Sequence, residues 1–263
     1  MKKTKPEVWL CPADFHWKFV DKSTLEKLHI VAKEIKPDVL CSLGDEVDYD
    51  GISKFTLKEY GDGVDECEEE LKSFKKGWQE LVKSCGNPKQ IMCLGNHNGE
   101  RVEKMLYKLE SKKMNREARD IKRSLDFKVN FPDVEIVPYN SYIKKNGLIL
   151  THGEFHNDNH PKTHALRYNC DVIYGHMHSL NAYSLSQKGS GKVKKAISLP
   201  CMCNTNPRYR GNKSSAWTNG FAVITFYDAT YSIEIAEVKN NKAVFRGKII
   251  LYSTKRQYHS MVR

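Results

Sequence analysis

Apolar runs alternate with helical periodicity over the first two thirds of this 263-residue chain. The run Val8–Leu10 predicts a first strand, and Val39–Leu43 predicts a second. Between them, Ser23-x-x-Glu26 has the pattern of a capping box, and Pro37 marks the end of a helix. A strand, a helix and a strand at this distance form a βαβ unit, so we expect the two strands to be parallel neighbours.

The same alternation continues to about residue 178. Apolar residues spaced by three and four predict a long helix over 67–85, and an apolar run predicts a strand over 90–94. Two charged helices follow; they could form a projecting helical cap over residues 99–126 or a solvated helical layer. Further strands are predicted at 134–137, 148–150 and 172–174, with a helix at 162–168.

Beyond residue 182 the pattern predicts strands alone. They cover 182–186, 195–199, 221–227, 232–238 and 244–252, with Asn240-Asn241 as the turn before the last. No repeat, low-complexity tract or linker interrupts the chain. We therefore expect one α/β domain over residues 1–263, in which a βα half (1–182) and a strand-rich half (183–263) form two packed sheets with helices outside.

Residue types that bind metals follow five of these strands. The segments are Asp14-Phe15-His16, Gly44-Asp45, Gly95-Asn96-His97, His152-Gly153 and Gly175-His176-Met177-His178. Ligands of open α/β sheets bind at the carboxyl ends of the strands. If the strands extend so far, residues two apart point to one face, so each D-x-H or H-x-H pair could chelate an ion. Carboxylates with imidazoles suit Zn, Mn or Fe better than Ca or Mg.

The order of these motifs carries a family resemblance. D-x-H, G-D-x-x-D, G-N-H, H-G and G-H-x-H, running from Asp14 to His178, resemble the motifs of the calcineurin-like metallophosphoesterase superfamily. The resemblance implies a four-layer α/β/β/α sandwich of two mixed β-sheets flanked by helices, with a two-metal site. The strand-rich remainder of the chain fits the second sheet of that fold.

The resemblance also implies residue roles. Two ligand sets would share one carboxylate: Asp14, His16 and His178 for the first ion, Asn96, His152 and His176 for the second, and Asp45 as the bridge between them. His97 would contact the phosphate and the leaving oxygen and would not bind metal. Asp48, the second acid of G-D-x-x-D, would orient loops or ligands, or would simply stabilise a turn.

The predicted cofactor is therefore a pair of divalent ions, with Mn, Fe or Zn as candidates. Two such ions can polarise phosphoryl oxygens and activate a hydroxide that attacks phosphorus in line. A protonated His97 could donate to the leaving alkoxide. The two aspartates carry less negative charge than two divalent ions carry positive charge. The site would therefore stay positive and attract the negative charge of a phosphate ester.

Departures from the family motifs narrow the kinds of phosphoesterase that this chain resembles. Protein Ser/Thr phosphatases of this superfamily carry G-D-x-V-D-R-G and R-G-N-H-E, but Tyr49 follows Asp48 here and Leu94 precedes Gly95, so both arginines are missing. The segments Trp217-x-x-Gly220-Phe221 and Cys201-Met202-Cys203 resemble a branch found in bacterial and phage proteins. The two cysteines could suggest a third metal, or could face a core.

The formal net charge of +11 arises beyond residue 182, where 14 Lys and Arg accompany 3 Asp and Glu. This asymmetry favours a polyanionic partner, with a solubilising surface as the alternative. The candidate substrate-binding residues are Arg101, His156, Arg167, Arg208 and Arg210, with Tyr209 or Trp217 available to stack on a base.

We thus expect a metal-dependent phosphodiesterase that acts on a nucleotide or nucleic acid. The alternatives are a phosphomonoesterase for a small metabolite and a non-catalytic nucleic-acid-binding protein. No apolar run approaches the roughly 18 residues of a membrane span. The eight cysteines include no C-x-x-C pair, which favours reduced thiols and a cytoplasmic location.

Overall fold

Thirteen strands form two sheets in the computed structural model, which describes residues 5–53, 63–186, 193–206 and 215–251. The strands are β1 (Glu7–Cys11), β2 (Val39–Ser42), β3 (Lys89–Cys93), β4 (Glu135–Val137), β5 (Ile143–Lys145), β6 (Leu148–Thr151), β7 (Asp171–Tyr174), β8 (Asn181–Ser186), β9 (Val193–Ser198), β10 (Asn219–Tyr227), β11 (Thr230–Lys239), β12 (Lys242–Phe245) and β13 (Lys248–Ile250). One sheet has the order β13-β12-β11-β10-β1-β2-β3-β4, and the other has the order β5-β6-β7-β9-β8.

Six α-helices accompany these strands within the same ranges. They are α1 (Lys22–Ile35), α2 (Val64–Cys85), α3 (Arg101–Ser111), α4 (Asn115–Leu125), α5 (Phe127–Asn130) and α6 (His160–Tyr168). A π-helical turn, Asn96–Glu100, leads directly into α3. None of the helices that the structure describes is both long and apolar enough to cross a membrane.

The predicted βαβ unit is confirmed. Strands β1 and β2 are parallel neighbours in the register Trp9↔Val39, and β3 continues the parallel order beside β2. In the second sheet, β6 and β7 are likewise parallel. The carboxyl ends of β1, β2 and β3 therefore lie along one edge, from which their loops leave.

The two sheets pack face to face. Trp9 and Ile91 of the eight-stranded sheet share a buried cluster with Leu150 and Ile173 of the five-stranded sheet. Helices α1 to α4 cover the other face of the larger sheet through a second cluster, and α6 covers the smaller sheet through Ala165. The order of layers is helix, sheet, sheet, helix, which confirms the expected α/β/β/α sandwich.

The sheets do not follow the two halves of the sequence, and the expectation that each half forms one sheet was wrong. Strand β10 pairs antiparallel with β1 in the register Leu10↔Val223, and this pairing adds β10 to β13 to the larger sheet. Strands β8 and β9 instead complete the smaller sheet. The apolar faces of α3 and α4 join the cluster that buries α1 and α2, so the segment 99–126 is part of the helical layer and not a projecting cap.

Two local predictions also need correction. Helix α1 is capped by Asp21, whose carboxylate accepts the Thr24 N–H, so Ser23 lies inside the helix and does not cap it. The run predicted as one strand over 244–252 is a hairpin of β12 and β13, because Arg246 and Gly247 adopt φ of 51° and 72° and reverse the chain. The turn predicted at Asn240-Asn241 is confirmed by positive φ at both residues.

Candidate metal centre

The five predicted motifs meet at one place in the fold. They occupy the loops that leave the carboxyl ends of β1, β2, β3, β6 and β7. His16 and His178, which are 162 residues apart in sequence, lie with their Nε2 atoms 3.1 Å apart. The loop order in the sheets therefore converts a dispersed sequence pattern into one cluster.

The backbone that presents these side chains is left-handed at five of them. The φ angles are 54° at Asp14, 38° at His16, 51° at Asp45, 69° at His176 and 59° at His178. Such angles are unfavourable for residues with a Cβ and concentrate at functional sites. Strands β1 and β7 end at Cys11 and Tyr174. The expectation that strand alternation aims the pairs was therefore wrong, and strained loops aim them instead.

Two glycines make room for the cluster. A Cβ on Gly95 would lie 2.0 Å from the Asp45 Oδ1 atom. A Cβ on Gly44, whose φ is +97°, would lie 2.3 Å from the His152 Nδ1 atom. Both positions thus exclude any side chain, because ligand side chains fill the adjacent space.

One group of donors consists of Asp14, His16 and His178, whose ligand atoms all lie within 4.8 Å of one another. The Nε2 atom of His178 lies 3.5 Å from the Asp14 Oδ1 atom. All three residues are buried, and the Asp14 carboxylate also accepts the His176 backbone N–H at 2.9 Å. The geometry collects one carboxylate and two imidazoles around a single point.

A second group consists of Asp45, His152 and His176, also within 4.8 Å of one another. The Asn96 Oδ1 atom joins it, at 3.0 Å from His152 Nε2 and 2.9 Å from His176 Nδ1. The Asp45 Oδ2 atom lies 3.3 Å from His152 Nε2 and 3.8 Å from His16 Nε2 of the first group. Asp45 therefore stands between the two groups.

The contacts around His152 suit a cation. Its Nδ1 atom lies 2.9 Å from the Leu43 carbonyl oxygen, which can only accept, so Nδ1 is the donor. In the neutral ring Nε2 then carries a lone pair, and it faces the oxygens of Asn96 and Asp45, which are themselves acceptors. Three lone pairs directed at one point are stabilised by a positive charge. The donor set thus fits a divalent metal ion, as does the close approach of the His16 and His178 Nε2 atoms.

Burial and the short distances between these groups also shift their pKa values. Burial lowers the pKa of His152, but the Asp45 carboxylate outweighs it and raises the value to about 9. Burial raises the pKa of Asp45, but His152 and His97 outweigh it and hold the value well below the usual range. His176 has its pKa lowered to about 3, chiefly by burial and then by His152. These coupled shifts follow from the same short distances that would favour metal binding.

Asp48 contacts two imidazoles. Its Oδ1 atom lies 3.1 Å from His16 Nδ1 and 2.5 Å from His97 Nδ1. His97 also donates its backbone N–H to Asp45 Oδ1 at 2.9 Å, and its side chain is 20% exposed. His97 therefore sits at the edge of the cluster, held by both aspartates, with Nε2 directed away from Asp48.

Some of the predicted substrate residues lie beside the metal-ligand cluster and others do not. Arg101 Nη2 lies 3.4 Å from His97 Nε2, and Nη1 lies 3.4 Å from Asp50 Oδ1. The ring of exposed His156 lies 6.4 Å from that of His176, and the ring of Trp217 lies 4.1 Å from that of His178. Arg167 is not part of this cluster; it is 70% exposed and lies 4.0 Å from Glu154. Arg208, Tyr209 and Arg210 lie outside the described residues.

Several supporting residues were not anticipated from the sequence. The half-buried Glu70 carboxylate accepts the backbone N–H groups of Asp48 and Tyr49 at 2.8 and 3.0 Å, and fixes the loop that carries Asp48. Asn98 accepts the Gly95 N–H at 2.8 Å and donates to the fully buried Glu46. The Cys203 residue, which the sequence had offered as a third-metal ligand or a core residue, places its thiol 3.8 Å from His178 Nδ1. The only sequence signal for the two Asn98 contacts is that Glu46 and Asn98 directly follow the Gly44-Asp45 and Gly95-Asn96-His97 motifs.

Solved structures with a similar fold include two Vps29 proteins. The one from Cryptosporidium parvum has a TM-score of 0.49 and 10% identity, and the match covers 94% of this chain and 97% of that one. The one from Chaetomium thermophilum has a TM-score of 0.49 and 7% identity, over 93% and 95% of the two chains. A dimetal phosphatase from Danio rerio has a TM-score of 0.46 and 14% identity, over 87% and 95%. At such low identities and TM-scores, these likenesses carry no argument about function.

Among curated proteins, none matches this chain significantly. A sequence model of a phosphoesterase family, however, matches residues 10–180, the span that contains all five motifs. The match covers more than half of the chain and includes every loop that contributes to the cluster. On this evidence the chain belongs to the calcineurin-like phosphoesterase family.

Proposed function

We propose that the protein is a metal-dependent phosphoesterase that hydrolyses phosphodiester bonds, with a nucleotide or nucleic acid as substrate. The observation that carries the proposal is the position of Asp45. One carboxylate oxygen faces His152 at 3.3 Å and His16 at 3.8 Å, one imidazole from each donor group. A single bridging carboxylate between two mixed carboxylate and imidazole sets suits a pair of ions of the kind that activate phosphoryl transfer.

In this proposal Asp14, His16 and His178 hold one ion, and Asn96, His152 and His176 hold the other. Bound together, the ions supply Lewis acidity toward the phosphoryl oxygens and an activated water. The ligands Asp14, His16, His152 and His178 are almost fully buried, which excludes bulk water behind the reacting centre. Of the candidate ions Mn, Fe and Zn, manganese is the one we would test first.

His97 is the proposed general acid. Its Nδ1 atom is held by the Asp48 carboxylate, so the ring orientation is fixed, and Nε2 lies 3.9 Å from the Asp45 Oδ2 atom and 3.4 Å from Arg101 Nη2. A proton on Nε2 would be donated to the alkoxide that leaves phosphorus. Asp48 would hold the ring in place during this transfer, because its carboxylate is 2.5 Å from the opposite nitrogen.

The arginine content of the site favours a diester over a monoester. Recognition of a phosphate dianion commonly uses bidentate arginine contacts, and the two arginines that protein Ser/Thr phosphatases of the superfamily carry beside these motifs are replaced here by Tyr49 and Leu94. Arg101 reaches the site from another position, but its Nη1 atom is engaged by Asp50 at 3.4 Å and by the Asp48 backbone carbonyl. A diester carries one negative charge fewer and needs less of this compensation.

Two features support a nucleotidic substrate. The ring of Trp217 lies beside His178, where a base next to the scissile phosphate could stack on it. The excess positive charge of the chain lies beyond residue 182, in the same third of the sequence. The resemblance to a bacterial and phage branch and the cytoplasmic location stay predictions.

The experiment compares two chromogenic substrates on the metal-loaded protein. We expect bis(para-nitrophenyl) phosphate to be hydrolysed with a higher kcat/KM than para-nitrophenyl phosphate, and turnover to disappear after chelation and to return with Mn²⁺. Binding of a short single-stranded oligonucleotide across a salt series then tests whether the protein recognises a polyanion. The variant Arg208→Ala/Arg210→Ala tests whether the basic segment contributes to that binding. Preference for the monoester and salt-independent binding would favour a small-metabolite phosphomonoesterase. Bound metal without turnover of either ester would favour a non-catalytic protein.

A further inference from the structure

A third donor group lies on the far side of His178. It consists of His178, Cys201 and Cys203, whose ligand atoms all lie within 4.8 Å of one another and whose side chains are all buried. None of the proposed phosphoesterase chemistry uses the two thiols. We infer that these three residues form a binding site for a thiophilic divalent cation, such as Zn²⁺ or Cd²⁺, which competes with the first ion of the metal centre for His178.

The distances match such an ion. Tetrahedral zinc with bonds of about 2.3 Å to sulfur and 2.0–2.1 Å to nitrogen separates those two ligands by about 3.5 Å. The Cys203 Sγ atom lies 3.8 Å from His178 Nδ1 in the structure. Only a shift of a few tenths of an ångström is therefore needed to bring both atoms to bonding distance.

The backbone holds both thiols close together. Cys201 pairs with Asn219 and Cys203 pairs with Val20 in isolated β-bridges on either side of a bend at Met202. The ligand atoms of both cysteines lie within 4.8 Å of each other. The Asn219 side chain donates to the Cys203 carbonyl oxygen at 2.6 Å and secures this segment. The Cys201 thiol lies 3.4 Å from the Thr218 carbonyl oxygen, the kind of weak contact that a metal–thiolate bond would replace.

The chemistry separates this site from the centre beside it. Two thiolates and one imidazole are a soft donor set that selects Zn²⁺ or Cd²⁺, whereas carboxylate, amide and imidazole ligands also accept Mn²⁺. On binding, the two thiols release two protons to solvent, and the bonds formed are two metal–sulfur bonds and one metal–nitrogen bond. The two thiolate charges balance the divalent cation.

The shared imidazole makes the two sites compete. His178 directs Nε2 toward Asp14 and His16, and Nδ1 toward Cys203. A neutral imidazole offers one lone pair, so a cation on Nδ1 leaves the ring proton on Nε2 and removes His178 from the first ion. Occupation of the thiol site should therefore weaken binding of the first ion, and by linkage Mn²⁺ should weaken binding of the soft cation to the same extent.

The test is a Cd²⁺ titration of the full chain, first metal-free and then with saturating Mn²⁺. The ultraviolet thiolate-to-cadmium band reports the site without reference to activity. The part of the tryptophan fluorescence change that is lost in Trp217→Phe reports its position, because the Trp217 ring is 4.1 Å from that of His178. The test variant is Cys201→Ser/Cys203→Ser. The matched control is Cys93→Ser, which removes a thiol that is equally buried on β3 but outside the group.

We expect one tight thiolate-bound Cd²⁺ per chain in the wild type and in Cys93→Ser, with an apparent affinity that Mn²⁺ weakens. The double variant should lose affinity by more than the roughly 10–100-fold that outer-shell changes alone produce. An unchanged Cd²⁺ band in the double variant, or an equal loss in Cys93→Ser, would overturn the inference. So would a thiolate site that Mn²⁺ does not affect.

If the double variant fails to fold, Cys201→Ser alone removes one sulfur ligand and leaves the Cys203 contact with His178 intact. It should show a weaker band with one thiolate fewer, and a retained full band would equally contradict the site. Because the band and the Mn²⁺ competition do not require turnover, failure of the phosphoesterase proposal would not be mistaken for failure of this one.

Discussion

The role of Asp48 can be decided by a single isosteric change. Its Oδ1 atom contacts His97 Nδ1 at 2.5 Å and His16 Nδ1 at 3.1 Å, and the residue is 5% exposed. Asp48→Asn keeps the shape and the backbone contacts with Glu70 but removes the negative charge. If the new asparagine turns its NH₂ group toward the N–H of His16 or His97, two donors face each other and that hydrogen bond is lost as well. The change therefore removes the orientation of two imidazoles and leaves the loop in place.

The expected magnitudes follow from the two contacts. A hydrogen bond to a charged group contributes about 1.5–3 kcal/mol, which corresponds to the roughly 10–100-fold loss of metal affinity typical of changes behind a ligand imidazole. We expect that loss for the ion held by His16. Through His97 we expect kcat at saturating metal to fall by about 10²–10⁴, the usual contribution of general acid–base catalysis.

The assay combines Mn²⁺ titration calorimetry with turnover of bis(para-nitrophenyl) phosphate at saturating Mn²⁺. Asp38→Asn is the control, because Asp38 directly precedes β2, at the opposite end of that strand from the cluster, and its Oδ2 atom accepts the Val8 backbone N–H at 2.8 Å. The control should change both quantities little. If Asp48→Asn lowered Tm but left metal affinity and kcat unchanged, Asp48 would only stabilise a turn, and the reasoning would be refuted.

Three further predictions concern other residues. Asp45→Asn should abolish hydrolysis and lower the bound metal per chain without changing the circular dichroism spectrum, because the bridging oxygen loses its charge; full activity with both metals bound would contradict the assignment. His97→Ala should keep both metals but lose about 10²–10⁴ in turnover, less for esters with good leaving groups; metal analysis that finds ions missing would make His97 a ligand. Burial lowers the pKa of His29 from 6.5 to about 4. The unfolded chain therefore binds the extra proton first, and stability that is complete above pH 6.5 falls by about 3 kcal/mol as the pH drops to 4. In chemical denaturation across that pH range His29→Gln should show a flatter profile, and an identical slope would exclude the mechanism.

The sequence by itself predicted most helices and strands and the metal-binding residue types at the strand ends, and the family resemblance implied the layer order and the roles of the candidate ligands. Helices α1, α2 and α6 and the buried strands β1, β2 and β3 follow from periodicities that act within about a dozen residues. The motif residues were identified in the same way, since each follows its strand directly and the strand order fixes the edge where they meet. Local spacing was enough for those features because the physical cause of each is local.

The tertiary structure decided the features that depend on distant pairing. Whether β10 joins β1 or the other sheet is a choice between partners with similar apolar patterns, and pattern alone does not distinguish them. The left-handed backbone of Asp14 and His178 arises because surrounding loops impose it against the intrinsic preference of these residues. The contact of Asp48 with His97 and that of Cys203 with His178 span 49 and 25 residues. Only the packed fold brings such groups within bonding distance. The chemistry of a side chain determines which groups it can bind, and the chain topology determines which groups lie next to it.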